Sequence, residues 1–188
     1  AYADAVATYL GFAISKSTDY QNALCSWRSD PKNEGVGHLF ARQAIPMIWD
    51  FAEGALLGEA AGTVSRQIGN VVTTLERLPA RTAGVAVQQD AANRPYAGVL
   101  ISTDPPYYDN IGYSDLSDFF YVWLRRSLRS VQAKLTQTML VPKADELVAN
   151  PYRHGGKDGA RSFFEDGFEH VFEHARETAT DQFPITVY

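Results

Sequence analysis

Ile101-Ser102-Thr103-Asp104-Pro105-Pro106-Tyr107-Tyr108-Asp109-Asn110 is the stretch on which the reading of this chain turns. An apolar run, Gly98-Val99-Leu100-Ile101, leads into it and reads as a short buried strand. Two consecutive prolines, with no N–H and a fixed φ, must then end any strand pairing. Thr103 and Asp104 are therefore expected at the carboxyl end of a strand, where open α/β sheets place their ligands. A carboxylate, a rigid turn and two aromatic rings arrive together at that edge. An Asp-Pro surface turn is the plainer reading. The whole tetrapeptide, set between an apolar strand and a helix start, favours a site.

The 188 residues suffice for one domain with a sizeable core, and 45% hydrophobic with 12% aromatic residues is a globular composition. No apolar stretch approaches the ~20 residues of a membrane span. The opening Ala1-Tyr2-Ala3-Asp4 lacks a signal-peptide layout, so no membrane partner is expected and a cytoplasmic location fits. A single cysteine, Cys25, excludes an internal disulfide and a cysteine zinc site within this chain. The net charge of −5 does not suggest a chain that coats nucleic acid unaided. Its distribution is uneven. From Arg125 to Ala144 there are five basic residues and no acidic ones, whereas Glu165 to Asp181 holds six acidic residues and only Arg176 as a base. The basic segment can meet phosphates; a helix carboxyl end, which favours cations through its dipole, explains it equally well.

Taken in order, residues 2–16 have helical spacing, and 20–37 read as a loop anchored in the core by Cys25 and Trp27. Leu39, Phe40, Ile45, Ile48, Trp49 and Phe51 suggest a second helix over 38–54, kinked at Pro46. A glycine-bearing connection follows. Val64, Ile68, Val71, Val72, Leu75 and Leu78 then recur at three and four, giving an amphipathic helix over 63–78 that Pro79 stops. Gly84 to Asp90 reads as a short strand, and 98–103 as the next. Beyond the prolines, Ser114 or Asp115 caps a helix with Leu116, Phe119, Phe120, Trp123, Leu124, Leu128 and Val131 on its apolar face; Tyr113 and Trp123 are expected in the core. Residues 135–160 are a long connection of the kind that often carries function. A helix over 161–178, with Phe164, Phe168, Val171, Phe172 and Ala175 inward, precedes a strand that begins at 183.

Asp104-Pro105-Pro106-Tyr107 resembles the signature of the amino-group methyltransferases, which methylate exocyclic nitrogens of adenine or cytosine using S-adenosylmethionine. The resemblance implies that the Asp104 carboxylate and the Pro105 carbonyl accept the two N–H bonds of the target amine. That draws the nitrogen toward a tetrahedral shape and frees its lone pair. Pro106 stiffens the turn so that the acceptors are pre-aimed, and Tyr107 stacks on a base swung out of its helix. Tyr108 and Asn110 are implied to touch the target base or its backbone. Asp90, Thr103 and Asp104 are implied on the cofactor side; for Asp90, a turn cap over Asp90-Ala91-Ala92-Asn93 is the competing reading.

Residues 40–53, 109–126 and Pro184-Ile185-Thr186-Val187-Tyr188 are similar to the large adenine-specific DNA methylases that carry a zinc-ribbon insertion. The resemblance covers most residues from about 40 onward and implies DNA as the partner, with an RNA base as the alternative. It implies an incomplete Rossmann-like, doubly wound α/β methyltransferase domain with a helix-rich N-terminal part. The expected division is a helical part over 1–62 and a partial methyltransferase core over 63–188.

Two family features are not found. The cofactor loop should be a strand, a Gly-rich turn and a helix; Gly35-Val36-Gly37 precedes a helical pattern but follows polar Pro31–Glu34, so it fails that context. The zinc ribbon is absent as well. The chain thus looks like the back portion of a longer enzyme, completed by a missing N-terminal segment or a second copy. In the family order the strands at 85–90 and 98–103 are not neighbours, so they are expected either to pair directly or to borrow strands. A catalytically incomplete remnant fits the same facts.

A different class of activity is offered by His170-Val171-Phe172-Glu173-His174, which matches an inverted zinc-protease motif and suggests a metallohydrolase. Its histidines are expected on a solvated polar face, away from Phe168, Phe172 and Ala175, and no metal ligand is assigned.

Overall fold

The computed structural model describes residues 1–79 and 82–188. The chain divides into two units, each built from two separate segments: Ala1–Arg81 with Ser114–Val141, and Thr82–Tyr113 with Pro142–Tyr188.

The first unit is helical. Helix α1 (Tyr2–Thr18) packs against α2 (Val64–Arg77). Gly11 of α1 lets Leu128 come close, since a Cβ there would sit 2.8 Å from Leu128 Cδ2. Leu39, Thr63 and Cys25 are fully buried. A small antiparallel pair joins β1 (Trp27–Arg28) to β2 (Gly35–Val36), with Trp27 opposite Val36. Helix α3 (Tyr113–Leu128) supplies Phe119 and Phe120, whose rings lie 5.4 and 5.0 Å from Phe40. A short 3-10 turn, Ala133–Thr136, follows.

The expected helix over 38–54 does not form. Asp19, buried at the end of α1, takes the backbone instead: Leu39 N–H donates to its carbonyl at 2.7 Å and Phe40 N–H to its Oδ1 at 3.0 Å. Ala52 N–H donates to the Cys25 carbonyl at 2.8 Å, and Pro46 has no N–H to offer a helix. The segment therefore lies as turns over the first unit, with Trp49 99% exposed. Trp27, Tyr113 and Trp123, all expected inside, are exposed too, although Cys25 is buried as expected.

In the second unit the long helix α4 (Lys157–Thr178) is entered through Gly155 and Gly156, both left-handed at φ +71° and +113°. Strand β3 (Ser102–Thr103) runs parallel to β4 (Thr186–Val187), Ser102 opposite Thr186 and Thr103 opposite Val187. Thr186 N–H donates to the Ile101 carbonyl at 3.1 Å and Tyr188 N–H to the Thr103 carbonyl at 3.0 Å.

The expected Rossmann-like, doubly wound sheet is not what the chain forms. Among the described residues there are two sheets of two strands, each strand two residues long, within a helix-rich structure. The segment from Gly84 to Asp90 has no strand partner, and Val85 is 88% exposed. Its alternating valines describe one apolar face, and both Val85 and Val87 stay exposed. Gly98 adopts φ +72°, which breaks the extended run, so the ladder begins only beyond Leu100. The expected direct pairing of 85–90 with 98–103 is absent for the same reasons; β3 pairs with β4 instead. No helix among the described residues is long and apolar enough to cross a membrane.

Candidate functional site

The signature and its surroundings lie in the second unit. Asp104 follows β3 directly, as the two prolines require. The turn folds back on itself: the Tyr107 hydroxyl donates to Asp104 Oδ1 at 2.8 Å, and Asn110 N–H donates to the Tyr107 carbonyl at 3.0 Å. The bond to the Asp104 carboxylate holds the Tyr107 phenol above its ordinary pKa, because a phenolate would lose the bond and face a negative charge. Tyr108 is in the left-handed region at φ 53°. Two contacts keep it there. Its carbonyl accepts from Ala149 N–H at 3.0 Å, and its ring meets Phe164 of α4 edge-on at 5.1 Å. Phe164, Phe168 and Phe172 continue as a ladder along that helix, with ring centres 4.6 and 5.8 Å apart.

Between the signature and α4 is a cavity of about 750 Å³. Asp90, Thr103, Asp104, Pro105 and Pro106 line one wall, while Phe168, His170, Val171, Phe172 and Ala175 line another. The structure thus gathers five of the expected site residues around one space. Tyr107, Tyr108 and Asn110 do not line it.

Asp90 caps a turn. Its Oδ1 accepts from Ala92 N–H at 3.0 Å, its Oδ2 accepts from the Asn93 side chain, and its carbonyl accepts from Arg94 N–H at 3.1 Å. That turn is clamped to α4. Tyr96 is buried and donates through its hydroxyl to the Ala91 carbonyl at 2.8 Å, and its ring lies 5.8 Å from that of His174. His174 Nε2 meets the Arg94 carbonyl at 2.9 Å. The expectation of a solvated pair of histidines holds for His170, which is exposed at the cavity's edge, and is corrected for His174, which is half-buried and ties α4 to the turn. Among the described residues, no group of three or more His, Cys, Asp or Glu is placed to hold a metal ion.

Tyr96 was not singled out by the sequence, and His174 only as part of the inverted zinc-protease motif. The signal available was the run of apolar residues at 164, 168 and 172, which marks the inward face of α4 but not the element it meets.

No protein-family model matches the chain, and neither curated proteins nor solved structures give a match.

Proposed function

We propose that this chain carries the amine-polarising part of an S-adenosylmethionine-dependent methyltransferase whose target is the adenine N6 amine of DNA. The observation that carries the reading is the position of Asp104, Pro105 and Pro106 directly after β3 and along the wall of a cavity of about 750 Å³, a size within the ordinary range for small-molecule sites. Asp104 Oδ1 is held by Tyr107. The other carboxylate oxygen and the Pro105 carbonyl are then the acceptors for the two N–H bonds of an exocyclic amine. Each acceptor draws electron density back to nitrogen and makes it the nucleophile; the proline pair keeps both acceptors from swinging away.

The cavity also fits the cofactor's chemistry. Asp90 and Asp104 bring carboxylates toward a cationic group, and Phe168, Val171 and Phe172 offer an apolar wall to a heterocycle. S-adenosylmethionine, when bound, supplies a methyl group activated by a positively charged sulfur. Among the described residues, Gly167 is the single glycine on the cavity wall and lies within α4, so no Gly-rich turn among them borders the space. That observation supports a second reading: the site is completed by another segment of the enzyme or by a second copy, and without it the chain is a catalytically incomplete remnant. An RNA adenine would suit the same acceptors.

The test is transfer of labelled methyl groups from S-adenosylmethionine to DNA, and to RNA of the same sequence, with nucleoside analysis of the product. N6-methyladenine in DNA, reduced at least about 100-fold by Asp104→Asn, supports the proposal. Equal incorporation by that variant overturns it. Calorimetric titration of the cofactor separates the second reading, which expects no binding by this chain alone.

A further inference from the structure

We propose that the outward face of the carboxyl-terminal half of α3 binds single-stranded DNA. The surface deepens the reading above by naming where its nucleic-acid partner is held, yet it rests on residues outside the cavity. Between Asp118 and Asp145 the sequence has no carboxylate, while Arg125, Arg126, Arg129 and Lys134 all fall in the first unit. On a chain of net charge −5 this is marked segregation, and a polyanion is the partner it suits.

Helix geometry sorts these residues. Leu128 is buried beneath Gly11, and Phe119 and Phe120 pack on Phe40, so these apolar residues of α3 face the unit, while Val122 and Trp123 stay exposed. Val122 and Arg126 stand at i and i+4 on one exposed stripe of α3, and Arg129, also exposed, follows directly after the helix end. Trp123 adjoins it, three residues before Arg126, with 40% of its surface open. Among the described residues, Arg126, Arg129 and Lys134 take part in no ion pair. The neighbouring helix, α1, has only Asp4 and Lys16 as charged residues, so it does not neutralise the stripe.

An exposed indole beside unpaired guanidinium groups matches a strand whose phosphates are held by arginine and whose base faces are open to stacking. Paired bases in a duplex keep their faces covered, which favours a single strand. An anionic membrane is the weaker fit, because interfacial helices present a broad apolar face, whereas Phe119, Phe120 and Leu128 of this helix pack within the unit.

The experiment is fluorescence anisotropy of the full chain with a labelled oligonucleotide, without cofactor, as the single strand and as its duplex. Expected are saturable binding to the single strand, tighter than to duplex, and a log–log salt slope of about −2 if three cations are engaged. The paired substitution Arg126→Gln and Arg129→Gln should weaken binding at least tenfold, and Lys134→Gln should weaken it alone if the first variant does not fold. In a chain with Trp27 and Trp49 changed to Phe, Trp123 emission should be quenched on binding. Unchanged affinity in the arginine variant, a preference for duplex without quenching, or binding only to phosphatidylserine vesicles overturns the proposal. A chain that binds the single strand through this surface but transfers no methyl group keeps the surface and sinks the methyl-transfer reading, whereas methyl transfer undiminished by the arginine substitutions does the reverse, so the two failures are distinguishable.

Discussion

The Tyr107 hydroxyl and the Asp104 carboxylate are joined by a hydrogen bond of 2.8 Å that spans the two prolines between them. The residue resembling a base-stacking tyrosine is thus bound to the residue that would polarise the amine. On the proposed reading, an incoming amine shares the carboxylate with this hydroxyl or displaces it.

Tyr107→Phe keeps the ring and frees Asp104 Oδ1, so in a methyl-transfer assay it should lower KM for the nucleic acid, whereas Tyr107→Ala should raise it. The phenol gives a second readout. Its pKa lies above 10.0 because of the bond to Asp104, so the bond stabilises the fold below the unfolded phenol's pKa and its contribution is lost as pH rises through the folded value. Denaturant titrations at increasing alkaline pH should show a smaller stability loss for Tyr107→Phe than for the parent chain. Identical profiles would place the bond outside the folded ensemble.

Asp19 should be a stability residue. Its buried carboxylate accepts from Phe40 N–H at 3.0 Å and from Lys16 Nζ at 2.8 Å. Asp19→Ala leaves the part-buried Phe40 N–H without its acceptor and should cost about 1–3 kcal/mol in urea unfolding. Lys16→Met should cost less than about 1 kcal/mol, because Lys16 is half exposed and the ion pair is solvent-screened.

Gly62 combines a left-handed φ of +86° with a neighbour that leaves no room for a side chain. A Cβ there would fall 2.2 Å from Tyr20 Cβ. Gly62→Ala should therefore lower the unfolding free energy by at least about 1–3 kcal/mol. Gly69→Ala, in α2 with open space around it, should be neutral or stabilising by up to about 1 kcal/mol.

Cys25 is fully buried, and burial pushes its thiol pKa up from 9.0. Alkylation in native buffer near neutral pH should be much slower than in urea. Equal rates would mean that the loop around Cys25 opens freely.

Local periodicity carried the helices. The three-and-four spacing from Val64 to Leu78 predicted 63–78, and α2 spans Val64–Arg77. The same kind of spacing misled at 38–54, because the hydrogen bonds that win there come from Asp19, 21 residues away from Phe40. Strands suffered more. Val85 and Val87 alternate as in a strand, but a strand exists only with a partner, and no pattern within seven residues names one. The prolines at 105 and 106 did mark where β3 stops, because their lack of an N–H is a property of the residue itself. At the site, the signature was visible as a motif, whereas the clamp between His174 and the Arg94 carbonyl joins residues 80 positions apart.

The two units are interleaved along the chain, each needing a segment from either side of the other. During synthesis, α1 and α2 emerge first but cannot meet Leu128 or Phe119 until the signature has already left the ribosome. The signature, in turn, waits for α4 and for Thr186 to reach Ile101 before its strand has a partner. For that interval, Asp104 and its prolines travel as an unsupported turn. A single cut in any connecting loop would leave neither unit as one continuous, separable piece.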